Sequence, residues 1–138
     1  MSVLVPIDDS DPAMKAVEHA AETYAGDTVT LLHIINPRAG MYGDEALYAY
    51  ESILESKQQA AADLFDRASE LAAEHDCSVQ TESIIGFPAR DIVSVATDED
   101  IDHIIIGSHG RTGASRVLLG SVAEQVVRRA PCPVTVVR

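Results

Sequence analysis

The chain has 138 residues, 46% of them hydrophobic and 23% charged, which fits one globular domain with a single buried core. Its 22 acidic against 10 basic residues leave a formal charge of −12, which argues against a basic nucleic-acid footprint and against a polybasic membrane patch. No apolar run approaches the roughly 18 residues that a membrane span needs. The opening residues, Met1 to Pro6, carry no basic region and meet Asp8 and Asp9 at once, unlike a secretory leader. Cys77 and Cys132 alone make neither a metal cluster nor a disulfide framework, so a reducing cytoplasm is the expected setting. Only Lys15 and Lys57 of the basic residues are lysines. Such a surface suits concentrated salt, and it suits plain solubility as well.

In chain order, residues 2–7 form a short apolar run that predicts a buried strand. Ser10, Asp11 and Pro12 open a helix, with Ser10 or Asp11 as its cap. Ala13, Val17, Ala20, Ala21 and Tyr24 continue it at helical spacing, and Gly26 stops it. Residues 28–35 are β-branched and aliphatic, a second strand broken by Asn36 and Pro37. Residues 38–44, with Gly40 and Gly43, read as a loop. A long helix follows over much of 45–75, with Ala61, Leu64, Ala68 and Leu71 as its apolar stripe.

Residues 78–85 alternate with polar neighbours, as a strand near a sheet edge would. Gly86, Phe87 and Pro88 turn into a third helix with Ala89, Ile92, Val93 and Ala96 on one face. Asp98, Glu99 and Asp100 form a solvated loop before a fourth strand at 103–106. A helix at 121–130, with Val122, Val126 and Val127 inward, leads to a fifth strand at 134–137. The order βαβαβαβαβ with apolar strands predicts one α/β domain over 1–138: a doubly wound five-stranded parallel sheet with helices on both faces.

Ligands of such sheets bind beyond the carboxyl ends of the strands, where the winding reverses. Asp8 ends the first strand and Gly107 the fourth, so both face one crevice if those strands are neighbours. The loop Gly107-Ser108-His109-Gly110-Arg111-Thr112-Gly113, with Gly120 and Ser121 after it, begins there. Gly107 leaves the strand end open to a ligand. Gly110 can take positive φ and curl the loop into an anion nest. Gly120 permits close approach at the next helix, where Ser121 offers a hydroxyl and free N–H groups to phosphate oxygens. Arg111 and Arg116 either approach distal phosphates or are plain surface charges. Ser121-Val122-Ala123-Glu124 is also a capping box that needs no ligand. The pattern taken whole favours phosphate. There is no G-x-x-x-x-G-K-[ST] and no G-x-G-x-x-G after the first strand, which argues against a P-loop enzyme and a dinucleotide dehydrogenase.

Gly107-x2-Gly110-x9-Gly120-Ser121 resembles the G-x2-G-x9-G-[ST] signature of the universal stress protein family, in its ATP-binding subgroup. The likeness runs the whole chain. Val5-Pro6-Ile7-Asp8 with Ser10 is similar to that family's first strand and turn, Leu32-His33-Ile34 to its second strand end, Gly86-Phe87-Pro88 to its third helix entry, and Ala130-Pro131-Cys132-Pro133-Val134 to its last strand entry. The resemblance implies a flavodoxin-like sheet order 3-2-1-4-5 and a homodimer joined through the last strands. It implies that Pro6, Asp8 and Ile34 line the adenosine end, with Asp8 near the ribose or a metal. It places Ile106, Gly107, Gly110, Gly120, Ser121 and Val122 around the phosphates, with Ser108, His109 and Arg111 in the same loop. No position of the signature is substituted.

Among the other residues, Asp8 also suits a turn that satisfies local backbone donors. His33 reads as a packed core histidine. His109 either touches phosphate or faces solvent. His19, His75 and His103 have no ligand spacing with one another, so no zinc site is expected. Tyr42, Tyr48 and Tyr50 either cover a base or pack the helix and a dimer contact. Cys132 reads as a small buried hydrophobe and Cys77 as an inert thiol beside a helix end.

Three functions fit these residues. The first is a dimeric stress-response or signalling module that binds ATP, with AMP or ADP open, and Mg²⁺ or Mn²⁺ to offset the acidic charge. The second is a slow ATP hydrolase, for which no convincing base stands out. The third is a nucleotide-independent scaffold. The fifth strand, an apolar edge if alone, favours a dimer in its own right.

Overall fold

A computed structural model describes residues 1–36, 44–110 and 119–138, with the backbone alone over 44–48. The order is β1 (Val3–Pro6), α1 (Asp11–Thr23), β2 (Thr28–Ile35), α2 (Asp44–Ala73), β3 (Ser78–Ile85), α3 (Pro88–Asp98), β4 (His103–Gly107), α4 (Ser121–Arg129) and β5 (Val134–Val137). The strands form one sheet in the order β3-β2-β1-β4-β5, and every neighbouring pair is parallel. This is the doubly wound, flavodoxin-like arrangement, with β1 at its centre and the winding reversing between β1 and β4.

Alternate side chains of a strand point to opposite faces, so a sheet covered on both sides needs two cores. On one face Val3, Val5, Val29, Leu31 and Ile105 meet Ala13, Ala16, Val17 and Ala20 of α1 and Leu64, Ala68 and Ala72 of α2. On the other, Leu4, Leu32, Ile104 and Ile106 meet Ile92, Val95 and Ala96 of α3 and Ala123 and Val126 of α4. The alanines of α1 matter here: small residues let that helix lie close over the central strands. Ser10 is the cap of α1, and its hydroxyl oxygen accepts from the Ala13 N–H at 3.3 Å. Asp91 reaches back from the first turn of α3 to the Phe87 N–H at 2.7 Å, which orders the turn predicted at Gly86.

Two expected packing faces and the burial of one thiol differ. Val127 is 46% exposed, because Ala123 and Val126, three residues apart, take the inner face of α4 and the next residue turns outward. In α3, Val95 is buried and Val93 only half-buried, so the inner face is centred between Ile92 and Ala96. Cys132 is half-buried rather than enclosed. Burial pushes both thiols above the ordinary cysteine value, with Asp27 adding to the effect at Cys77 and Asp102 at Cys132. Neither is therefore an activated nucleophile.

His103 joins three elements: Tyr24 Oη lies 2.6 Å from its Nδ1 and Thr135 Oγ1 2.7 Å from its Nε2. Burial holds its pKa below the ordinary 6.5, and the nearby His19 lowers it further. A lowered folded pKa means that the unfolded chain takes up the proton first on acidification. The stability tied to a neutral His103 is thus whole above pH 6.5 and is lost as pH falls below 6.5 through the folded value. Urea midpoints at pH 7.5 and pH 5.5 are expected to drop less for His103→Gln than for the parent chain.

Candidate functional site

The reversal between β1 and β4 opens a cleft at the carboxyl ends of the strands. Of the residues singled out in the sequence, Pro6, Asp8, Ile34, Ile106, Gly107, His109, Gly110 and Val122 line it. Residues from β1, β2, β4 and α4, distant in the chain, thus share one surface. Arg111 and Arg116, the loop glycine Gly113, Tyr42 and the loop expected at 38–44 up to residue 43 lie outside the described residues, as does the side chain of Tyr48. Tyr50 is half-buried and lines neither this cleft nor the hollow beside it.

The glycines act differently from the expectation. Gly26 is the one described glycine with positive φ, so Gly110 does not curl the loop that way. Its value is space: a Cβ at Gly110 would stand 2.7 Å from Asp8 Oδ2. A Cβ at Gly107 would stand 2.7 Å from the Pro12 carbonyl carbon, and one at Gly120 would stand 3.0 Å from His109 Cα. These positions let α1, the β4 end and the α4 start press together before any ligand is considered.

Ser108 is 3% exposed and does not face the cleft. Its N–H donates to the Val137 carbonyl at 2.7 Å, and its carbonyl accepts from the Gly120 N–H at 2.6 Å. It therefore bolts the loop ends to β5 and to α4. Its hydroxyl lies 3.2 Å from His109 Nδ1. The capping box is not formed either. Gly120 occupies the cap position with no side-chain hydrogen bond, and exposed Ser121 is the first helical residue. The first backbone bond of the helix runs from the Glu124 N–H to the Gly120 carbonyl at 2.9 Å. The N–H groups of Ser121, Val122 and Ala123 precede it and lack intrahelical acceptors. They carry the positive end of the α4 dipole at the cleft.

Asp8 makes the local turn foreseen for it. Its Oδ1 accepts from the Ser10 N–H at 3.0 Å and from the Ser10 hydroxyl, while Oδ2 sits over Gly110. The turn leaves the carboxylate on the cleft surface. His33, read as a core histidine, is half-buried and donates from Nδ1 to the Ile7 carbonyl at 2.8 Å. Yet it also lines the cleft, as do Pro88 and Ile92 from the start of α3. Its place one residue before Ile34 at a strand end was the available signal. For Pro88 and Ile92 there was none, since only the packing of α3 brings them round. A second hollow adjoins at Asp8, His33 and Ile34 and is bounded by Lys57, Asp63 and Arg67 of α2. Lys57 Nζ donates to the Asn36 carbonyl at 2.7 Å there.

A doubly wound α/β protein with an anion-ready helix start at its switch point is the class that this fold and cleft define. The model of the universal stress protein family matches residues 1–138. Universal stress protein MJ0531 of Methanocaldococcus jannaschii is 33% identical over 144 residues, covering 99% of this chain and 81% of that protein. The structure of universal stress protein UspA from Lactobacillus plantarum superposes with a TM-score of 0.86 at 26% identity, covering 100% of this chain and 97% of the other. The universal stress protein from Archaeoglobus fulgidus, solved in complex with dAMP, has a TM-score of 0.66 at 25% identity, covering 100% and 98%. The chain belongs to the universal stress protein family.

Proposed function

We propose that this chain binds an adenine nucleotide in the cleft, ATP with Mg²⁺ or Mn²⁺ foremost and AMP or ADP by the same contacts, and serves as a homodimeric cytoplasmic module of stress response or signalling. The observation that carries this reading is the meeting of an apolar strand-end floor with the first turn of α4, whose N–H groups have no intrahelical acceptor. Pro6, Ile34 and Ile106 offer the apolar surface that a nucleoside needs. Ser121, Val122 and Ala123 offer backbone donors to phosphate, with the Ser121 hydroxyl and His109 beside them. Asp8 is the carboxylate at the nucleoside end, for a ribose hydroxyl or a metal. The relative solved with dAMP supports the ligand class. A divalent ion would offset the repulsion between a polyphosphate and a chain of charge −12. Among the described residues β5 pairs with β4 alone and is half-buried, so its other edge is the proposed dimer seam.

Two measurements test this. Purified protein, denatured and analysed by mass spectrometry, is expected to release an adenine nucleotide, and sedimentation is expected to report a dimer. Val122→Asp places a carboxylate at the phosphate end, at a first-turn position that favours acids. Nucleotide affinity is expected to fall by at least about tenfold, or ~1.4 kcal/mol, with the fold retained by circular dichroism. Unchanged affinity would remove the phosphate end from α4. A hydrolase reading rests on His109, the imidazole beside the α4 start. Steady turnover that His109→Gln abolishes would put that reading first.

A further inference from the structure

At the amino ends of the strands, across the sheet from the cleft, α1 and α2 both finish. Glu18 and Glu22 stand one helical turn apart on α1, so their side chains share a face. His75 follows the end of α2. The ligand atoms of Glu18, Glu22 and His75 all lie within 4.8 Å of one another. The His75 ring is turned to the pair, with Nε2 4.0 Å from Glu22 Oε1. Both glutamates are exposed and His75 is half-buried. Spacing among the histidines alone could not show this group, because two of its three members are glutamates on another helix.

The electrostatics of the corner are a separate observation. Helix carboxyl ends carry partial negative charge, which basic side chains ordinarily offset. Neither α1 nor α2 has a basic residue in its last turn. Glu22, in the last turn of α1, adds a full negative charge where the dipole already disfavours one. The backbone holds this arrangement together. The Gly26 N–H donates to the Asp76 carbonyl at 3.0 Å, and the Ser78 N–H to the Asp27 carbonyl at 3.0 Å. Bringing the three ligands onto one ion therefore needs side-chain rotation only.

We propose that Glu18, Glu22 and His75 bind one divalent cation of the zinc type, which ties α1 to the turn between α2 and β3. An imidazole with two carboxylates suits Zn²⁺ and its transition-metal neighbours. Mg²⁺ and Ca²⁺ prefer oxygen ligands throughout. Water completes the coordination, since the corner is open to solvent. The site is remote from the cleft and independent of nucleotide.

Calorimetric titration of the nucleotide-free full chain with Zn²⁺ alone is expected to show saturable binding of one ion per chain, with Mg²⁺ giving none. Glu22→Gln and His75→Gln are each expected to weaken it by about tenfold or more, the least that loss of even a supporting partner costs a metal site. Zn²⁺ should raise the melting temperature of the parent chain and not of either variant. Val122→Asp should bind Zn²⁺ as the parent does, which separates this corner from the cleft. Both glutamine variants lie at the surface, and circular dichroism verifies that they fold. Zn²⁺ affinity unchanged by His75→Gln would mean an adventitious ion only and would overturn the proposal, as would the absence of saturable binding.

Discussion

Leu4→Ala is expected to lower the unfolding free energy by about 2–5 kcal/mol, the range for truncating an enclosed leucine. Leu4 sits on the central strand with no exposed surface, in register with Thr30 of β2 and Ile104 of β4, and shares a core with Leu32, Ile104 and the α3 and α4 layer. Close-packed neighbours relax only partly, so the loss combines hydration with a cavity. At this chain length, a loss of 3 kcal/mol corresponds to a melting temperature lower by roughly 10 °C. Val127→Ala, on the outer face of α4, is the matched control and is expected to stay within about 0.5 kcal/mol. Equal losses in the two variants would show that the core on this face is not where the structure puts it.

Gly107→Ala is expected to damage both stability and the cleft. The added Cβ would lie 2.7 Å from the Pro12 carbonyl carbon and 2.9 Å from the Ala13 nitrogen. Both are backbone atoms of the first turn of α1, so relief requires the helix itself to shift from β4. Overpacking of this kind costs about 1–3 kcal/mol. The shift would carry Ser10 and Asp8 with it, so nucleotide affinity is expected to fall in parallel. Gly110→Ala is the informative contrast. There the obstacle is Asp8 Oδ2, a side-chain tip that can rotate. Its stability is expected to remain near that of the parent while the Asp8 carboxylate is redirected. Denaturation midpoints and nucleotide titrations on the two variants separate a glycine required by the fold from one required by the cleft.

Each loop glycine thus has a packing reason of its own, separate from the proposed ligand role. The spacing of Gly107, Gly110 and Gly120 was visible in the chain, and so was their place between a strand end and a helix start. What each glycine avoids was not visible, because Pro12, Asp8 and His109 become its neighbours only when α1, β1 and β4 come together. Ser121 shows the same limit. Its capping-box pattern is local and genuine as a pattern, yet the helix takes Gly120 as its cap and leaves Ser121 exposed. The tight return through the Gly120 N–H and the Ser108 carbonyl sets that boundary, and it depends on β5 holding Ser108.

By itself the sequence determined the nine elements found among the described residues, their alternation and hence a parallel sheet with two covered faces. Those properties follow from side-chain periodicity and turn chemistry within short stretches. Its glycine signature also marked the family, which the match over the whole chain then established. Only the tertiary structure decided which faces of α3 and α4 turn inward and that His33, Pro88 and Ile92 share the cleft. It alone brought Glu18 and Glu22 to His75. Each of these depends on how one element is rotated and seated against another, and that is settled by packing among residues far apart in the chain.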